Sequence, residues 1–242
     1  MHLNMKRVIV KLSGEALGEN GRLFDSAQIE RTAKVLAHIV QNGTELGVVI
    51  GAGNIWRGRQ GNHITAVTAD QMGMLGTIIN CLYMRDAVER AGAKACVMSA
   101  IEMPRVCETF SARRAIEMMK TGVIVFFAGG SGNPFFTTDT AVVLRAIETE
   151  ADAILLAKNI DGVYDSDPRV NPNAKLIKEI SYQKAEEMRL RVMDTAAFAL
   201  CADHFVPMVR VFGLSEPENI QKVLDGDDMG TKLYSESDIQ RV

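Results

Sequence analysis

The chain has 242 residues, 47% of them apolar and 24% charged, ordinary values for a globular enzyme and near the upper limit for one compact core. A net charge of −3 gives no electrostatic reason to expect nucleic acid as a partner, so an anionic ligand must be held by local features. Four cysteines with no CxxC pair argue against a zinc ribbon and against a disulfide scaffold, and suit a reducing, cytoplasmic setting.

The N-terminus leads into a brief apolar run at Val8–Val10, too short for a signal peptide or a membrane span, and Arg7–Leu12 reads as a strand. Similar Val- and Ile-rich runs follow at Gly47–Ile50, Ala95–Met98, Val123–Phe127, Ala153–Ala157 and Met208–Phe212. Continuous runs of this kind are what a parallel sheet buried on both faces requires. The clearest helix is Ala69–Ala91, where Met72, Leu75, Ile79, Leu82 and Tyr83 recur on one face and Thr68 to Gln71 forms a capping box at the start. A further helix follows Thr138 and ends near Glu150, with Asp139 in its first turn. The stretch Asn159–Lys175, rich in Asp, Pro and Asn, is the one long irregular segment, and such a segment is more often functional than idle. Asp194 stands at another helix start, and Cys201-Ala202-Asp203-His204 lacks metal-ligand partners at a matching spacing, so it reads as packed helix. Alternation of strand and helix predicts a doubly wound α/β sandwich with ligands at the carboxyl ends of the strands. The expected organisation is one domain of two lobes, about 1–150 and 151–234, followed by a polar tail at 235–242.

Three of the strand ends carry glycine: Lys11-Leu12-Ser13-Gly14, Gly51-Ala52-Gly53-Asn54 followed by Arg57-Gly58, and Gly129-Gly130-Ser131-Gly132-Asn133-Pro134. Glycine lets the backbone approach a ligand and turn its N–H groups toward an anion. Repetition at successive strand ends, with Lys11 and Arg57 alongside, points to phosphate. A GxxxxGK motif followed by Ser or Thr is absent, as are a strand-borne GxGxxG and the HRD and DFG kinase signatures, so the phosphates are held by another architecture. Phosphoryl transfer needs cations on the moving group, and Lys11 and Arg57 are the candidates. Asp139 and Asp194 are carboxylates at helix starts that would need a cation between themselves and a phosphate, a lysine or Mg²⁺. Asp70 is either a favourable first-turn acid or an acceptor for ribose hydroxyls.

Taken together, Val10-Lys11-Leu12-Ser13-Gly14-Glu15-Ala16-Leu17, Gly47–Asn54, Asp70–Leu75, Gly132–Asp139, Asp161–Pro168 and Val192-Met193-Asp194 resemble the bacterial uridylate (UMP) kinases of the amino acid kinase family. The resemblance runs from about Lys6 to Tyr234, and the segment Gly132-Asn133-Pro134-Phe135-Phe136-Thr137-Thr138-Asp139 is the one specific to that branch. It implies a three-layer α/β/α fold on a largely parallel sheet, and transfer of the ATP γ-phosphoryl group to UMP with Mg²⁺ accompanying ATP and no dedicated metal ligands. On this likeness Lys11, Leu12, Ser13, Gly14, Gly53, Arg57, Lys158, Asn159, Tyr164 and Asp167 serve ATP. Ala52, Asp70, Ser131, Gly132, Asn133, Pro134, Phe135, Phe136, Thr137 and Thr138 serve UMP, while Lys11, Arg57, Asp139 and Asp194 carry the catalysis. It also implies a homo-oligomer, commonly a hexamer. The chain departs from the family pattern at Ala52, where glycine is common, and at Lys158, where a neutral side chain is more usual. Two rival readings are a kinase of the same fold that phosphorylates carboxylates or amino acids, and a silent nucleotide-binding regulator.

Overall fold

A computed structural model describes residues 5–18, 22–57, 63–190, 193–203 and 206–235; Gly58, Val192, His204 and the tail beyond Ser235 lie outside these. In chain order the elements are β1 (Arg7–Leu12), a short 3₁₀ turn at Gly14–Leu17, α1 (Ser26–Gln41), β2 (Glu45–Ile50), α2 (Ala66–Arg90), β3 (Lys94–Ser99), β4 (Glu108–Thr109) and α3 (Ala112–Lys120). They continue with β5 (Val123–Ala128), α4 (Thr138–Glu148), β6 (Ala153–Lys158), β7 (Val163–Tyr164), β8 (Leu176–Ile177), β9 (Glu179–Ser181), α5 (Tyr182–Glu187), α6 (Thr195–Asp203), β10 (Met208–Gly213), α7 (Asn219–Leu224) and β11 (Thr231–Tyr234).

Nine strands form one sheet in the order β4-β3-β5-β2-β1-β6-β10-β11-β9, and β7 pairs with β8 in a separate ribbon. Every pairing in the large sheet is parallel except β10 with β11. The expected fold class is therefore the observed one. Each aliphatic run of the sequence is a strand, because alternate residues enter opposite cores. Val8, Val10 and Leu12 of β1 pack with α1, α2 and α7, while Ile9 packs on the other face with α3, α4, α5 and α6. Burying each such side chain contributes roughly 1.5–3 kcal/mol. The register sets Lys11 level with Val49 of β2 and Leu156 of β6, so the carboxyl ends of these strands open onto one edge.

The long helix differs from expectation in two respects. It begins at Ala66 with Thr65 as its cap, whose hydroxyl accepts from Thr68 N at 3.2 Å, one turn before the anticipated Thr68–Gln71 box. Thr65-Ala66-Val67-Thr68 contains neither Gly nor Pro, so nothing stops the helix extending to the earlier cap. Asp70 consequently sits in the second turn, beyond the reach of a first-turn dipole effect. The stripe of large apolar residues also lies largely on the outer face: Met72, Leu75 and Ile79 are 38%, 48% and 48% exposed. The inner face is built from Ala69, Met74, Thr77, Ile78, Asn80, Cys81 and Met84, mixing small and polar residues with aliphatic ones.

Candidate active site

Strands β1 and β6 deliver a lysine each to one carboxylate. Lys11 Nζ lies 3.4 Å from Asp139 Oδ1, and Lys158 Nζ lies 3.2 Å from Asp139 Oδ2. Asp139 is carried by the first turn of α4, whose N-cap is Thr137. Burial works to raise the Asp139 carboxyl, but the charges of Lys11 and then Lys158 outweigh it and hold the group below the ordinary carboxylate range. Burial likewise lowers Lys158, against the opposing pull of Asp139. Two ammonium groups thus meet at the strand ends and share the Asp139 carboxylate. Asp139 Oδ1 is buried, receives no hydrogen bond of good geometry among the described residues, and faces the Lys11 ammonium.

The first two glycine ends are packed into each other. A Cβ on Gly14 would stand 2.4 Å from Gly51 O, 2.7 Å from Asn54 Oδ1 and 2.8 Å from Gly53 N, so no other residue fits there. Ser13 caps the following 3₁₀ turn by accepting from Glu15 N at 3.3 Å. The Leu12 side chain is fully buried, so only its backbone can meet a ligand. Arg57 is exposed; it donates to Gly53 O at 3.3 Å and pairs with Glu15 Oε1 at 2.5 Å. The other Glu15 oxygen accepts from Asn159 Nδ2 at 3.0 Å. Glu15 therefore ties Arg57 to the end of β6, a role the sequence reading missed.

The third glycine end leads from β5 into α4. Gly129, Gly130 and Gly132 all have positive φ, which glycine alone adopts readily. Ser131 Oγ donates to Asn133 O at 3.1 Å and accepts from Asn133 N at 3.2 Å, closing a tight turn before Pro134. Arg145, buried on α4 and lying over the Phe110 ring at 3.8 Å, donates to Gly130 O at 3.3 Å. Phe135 has a φ of 70° and is held there by its N–H, which donates to Asp70 Oδ2 at 2.7 Å. Phe135 and Phe136 are 73% and 51% exposed. The Thr138 hydroxyl lies over Gly51, placing this segment against the second glycine end.

Asp194 accepts from the hydroxyls of Thr137 and Thr140, the latter at 2.8 Å, and from Ala197 N at 2.8 Å. It thereby clamps the start of α4 to the start of α6, and its charge also favours the protonated form of Lys158. A cavity of about 350 Å³ opens beyond Lys158, lined by Gly162, Tyr164, Asp167, Met188 and Val211 among others. Tyr164 and Asp167 thus belong to this cavity, with Lys158 shared between it and the lysine–aspartate cluster. Asp167 itself receives Arg169 N at 2.9 Å and pairs with the Arg169 guanidinium. Among the described residues no group of three or more His, Cys, Asp or Glu side chains could hold a metal ion. Both Asp139 oxygens face ammonium groups, which makes the carboxylate a poor metal ligand. No described helix is long and apolar enough to cross a membrane.

A model of the amino acid kinase family matches residues 6–211, most of the chain. The chain belongs to the amino acid kinase family. Within it, the chain is 48% identical over 231 residues to a uridylate kinase of Pseudoalteromonas atlantica (strain T6c / ATCC BAA-1087), covering 94% of this chain and 93% of that protein. The crystal structure of a UMP kinase from Bacillus anthracis superposes with a TM-score of 0.91 at 39% identity, covering 96% of this chain and 97% of the other. A UMP kinase from Ureaplasma parvum gives 0.90 at 34% identity, covering 96% and 100%.

Proposed function

We propose that this chain is a UMP kinase, transferring the γ-phosphoryl group of ATP to UMP to give UDP and ADP. The carrying observation is the pair of lysines shared by Asp139 where the glycine-bearing strand ends meet, in a chain closely similar to uridylate kinases along nearly its full length. A UMP phosphate oxygen attacks the γ-phosphorus while the bond from that phosphorus to the β–γ bridging oxygen breaks and ADP departs. Charge spreads over the transferred group and the acceptor is itself anionic, so fixed cations lower the barrier. Lys11 and Lys158 supply them, and the Asp139 carboxylate that both face holds them at the strand ends.

The donor side is made of Lys11–Gly14, Gly53 and Arg57, with Asn159, Tyr164 and Asp167 toward the cavity that would take the adenine. The acceptor side is made of Ala52, Asp70 and Ser131–Thr138, with Phe135 and Phe136 offering aromatic surface to the uracil. Mg²⁺ would enter on the ATP phosphates, where it neutralises part of their charge; the protein's own donors at this point are cations and N–H groups. The product, a pyrimidine nucleoside diphosphate, places the reaction in nucleotide supply.

A coupled ADP-release assay with UMP, CMP, dUMP and a panel of amino acids tests the reading. Turnover with UMP alone is expected; turnover with an amino acid would transfer the activity to a sister kinase, and silence throughout would leave a nucleotide-binding regulator. Asp70→Asn is expected to raise the KM for UMP about tenfold, the scale for weakening a charge-assisted hydrogen bond, with the KM for ATP little changed. An effect on ATP alone would remove Asp70 from the ribose.

The exposed Met72, Leu75 and Ile79 on α2, with Ile64 and Val67 near its start, support assembly with further copies of the chain, up to a hexamer. Light scattering should give a multi-subunit mass that Ile79→Glu reduces. A monomeric mass for the parent chain would dismiss the assembly.

A further inference from the structure

Helix α2 passes under both glycine loops and meets each with a buried polar side chain. Asn80 is fully buried, and its amide nitrogen donates to Gly51 O at 2.7 Å and to Asn54 Oδ1 at 2.8 Å, while its oxygen accepts from Asn54 Nδ2 at 3.1 Å. One turn earlier, Thr77 donates to Met74 O at 2.6 Å and accepts from Gly129 N at 2.9 Å. Residues three apart share a helix face, so one turn of α2 holds the second and third glycine ends together.

These contacts reach the first glycine end as well. The two atoms that Gly14 packs against most closely, Gly51 O and Asn54 Oδ1, are the two acceptors of the Asn80 amide. Gly14 therefore rests on a surface whose position Asn80 sets. Because the peptide is planar and trans, drawing the Gly51 carbonyl toward α2 also turns the Ala52 N–H away from the helix. Apolar side chains could pack a helix on a sheet here without the cost of burying polar groups. What the buried amide and hydroxyl add is direction for specific backbone atoms.

We infer that Asn80 and Thr77 are positioning residues for phosphoryl transfer, Asn80 setting the Gly51–Asn54 loop and the Gly14 turn that rests on it, and Thr77 the acceptor-side loop at Gly129. The inference rests on the reading of these loops as phosphate-binding. Since transfer is sensitive to misplacement on the ångström scale, Asn80→Ala is expected to lower kcat by about 10²-fold in folded protein. Thr77→Val, which keeps the shape and removes the hydroxyl, is expected to raise the KM for UMP about five- to tenfold, with the KM for ATP within about twofold, and Thr77→Ser is expected to restore it.

Trp56, the single tryptophan of the chain, lies on the loop that Asn80 holds, and its backbone N–H donates to Ala52 O at 2.8 Å. Its fluorescence emission should shift in Asn80→Ala and stay unchanged in Thr77→Val. Lowered melting temperatures with unchanged kcat, KM and Trp56 emission would reduce both residues to structural roles and overturn the inference. If Asn80→Ala does not fold, the Thr77 pair decides. Failure of the parent chain to turn over UMP would refute the kinase reading instead, and the Trp56 emission of Asn80→Ala would then decide the bracing by itself.

Discussion

Lys11→Ala is expected to lower turnover of ATP with UMP by about 10²-fold or more, the scale for losing a group that stabilises developing charge. The side chain is placed for this and for little else. It ends β1 with 13% of its surface exposed, facing a carboxylate that also holds Lys158. The fold should survive, because the β1 backbone keeps its parallel pairing with β2 and β6 on both sides whatever side chain stands at position 11. Lys11→Arg should rescue poorly, since a planar guanidinium cannot reproduce a compact ammonium fitted against one carboxylate oxygen. Steady-state kinetics beside circular dichroism check the result, and a near-normal rate in the folded alanine variant would remove Lys11 from the chemistry.

The contrast between what was legible and what was not follows sequence separation. The strand runs were visible because a strand buried on both faces needs an unbroken aliphatic run, and β1 appears with the expected bounds, Arg7–Leu12. The short strands β4, β7, β8, β9 and β11 have two to four residues and carry no such run. The glycine ends stood out by composition alone, and so did Lys11 and Asp139 as a cation and an anion at element boundaries. Their partners did not. Glu15 meets Arg57 and Asn159 across 42 and 144 residues, and Asn80 meets Asn54 across 26, so nothing local marks either. Asp194 reads as an acid that needs a cation, and its charge does act on Lys158, but its hydrogen bonds to Thr137 and Thr140 involve hydroxyls that a charge-based reading passes over. The apolar stripe of α2 was legible as a stripe, but periodicity does not say which face is inward. Here the inner face carries Thr77 and Asn80, because it must satisfy the polar backbone of the loops it supports.

Asp139→Ala should be the most destabilising single change at the site, and its pH dependence identifies the cause. Removing the carboxylate leaves Lys11 and Lys158 facing each other in a largely buried setting, a loss of about 3 kcal/mol at neutral pH, toward the lower end for breaking a buried pair because Asp139 keeps 18% of its side chain exposed. The folded-state pKa of Asp139 lies below its ordinary value of 3.8, so its contribution is present above that value and is lost as pH falls through the lower, folded value. Parent and variant should therefore converge in acid. At the alkaline end Lys158 has a folded-state pKa below 10.5, and losing Asp139 pushes it lower still. A buried ammonium with a lowered pKa costs stability while charged, and that cost is relieved as pH rises through the folded value toward 10.5. The deficit of the variant should thus be largest near neutrality and narrow at both extremes, as urea denaturation across the pH range would measure. A deficit of constant size would assign the loss to packing and free the two lysines from dependence on Asp139.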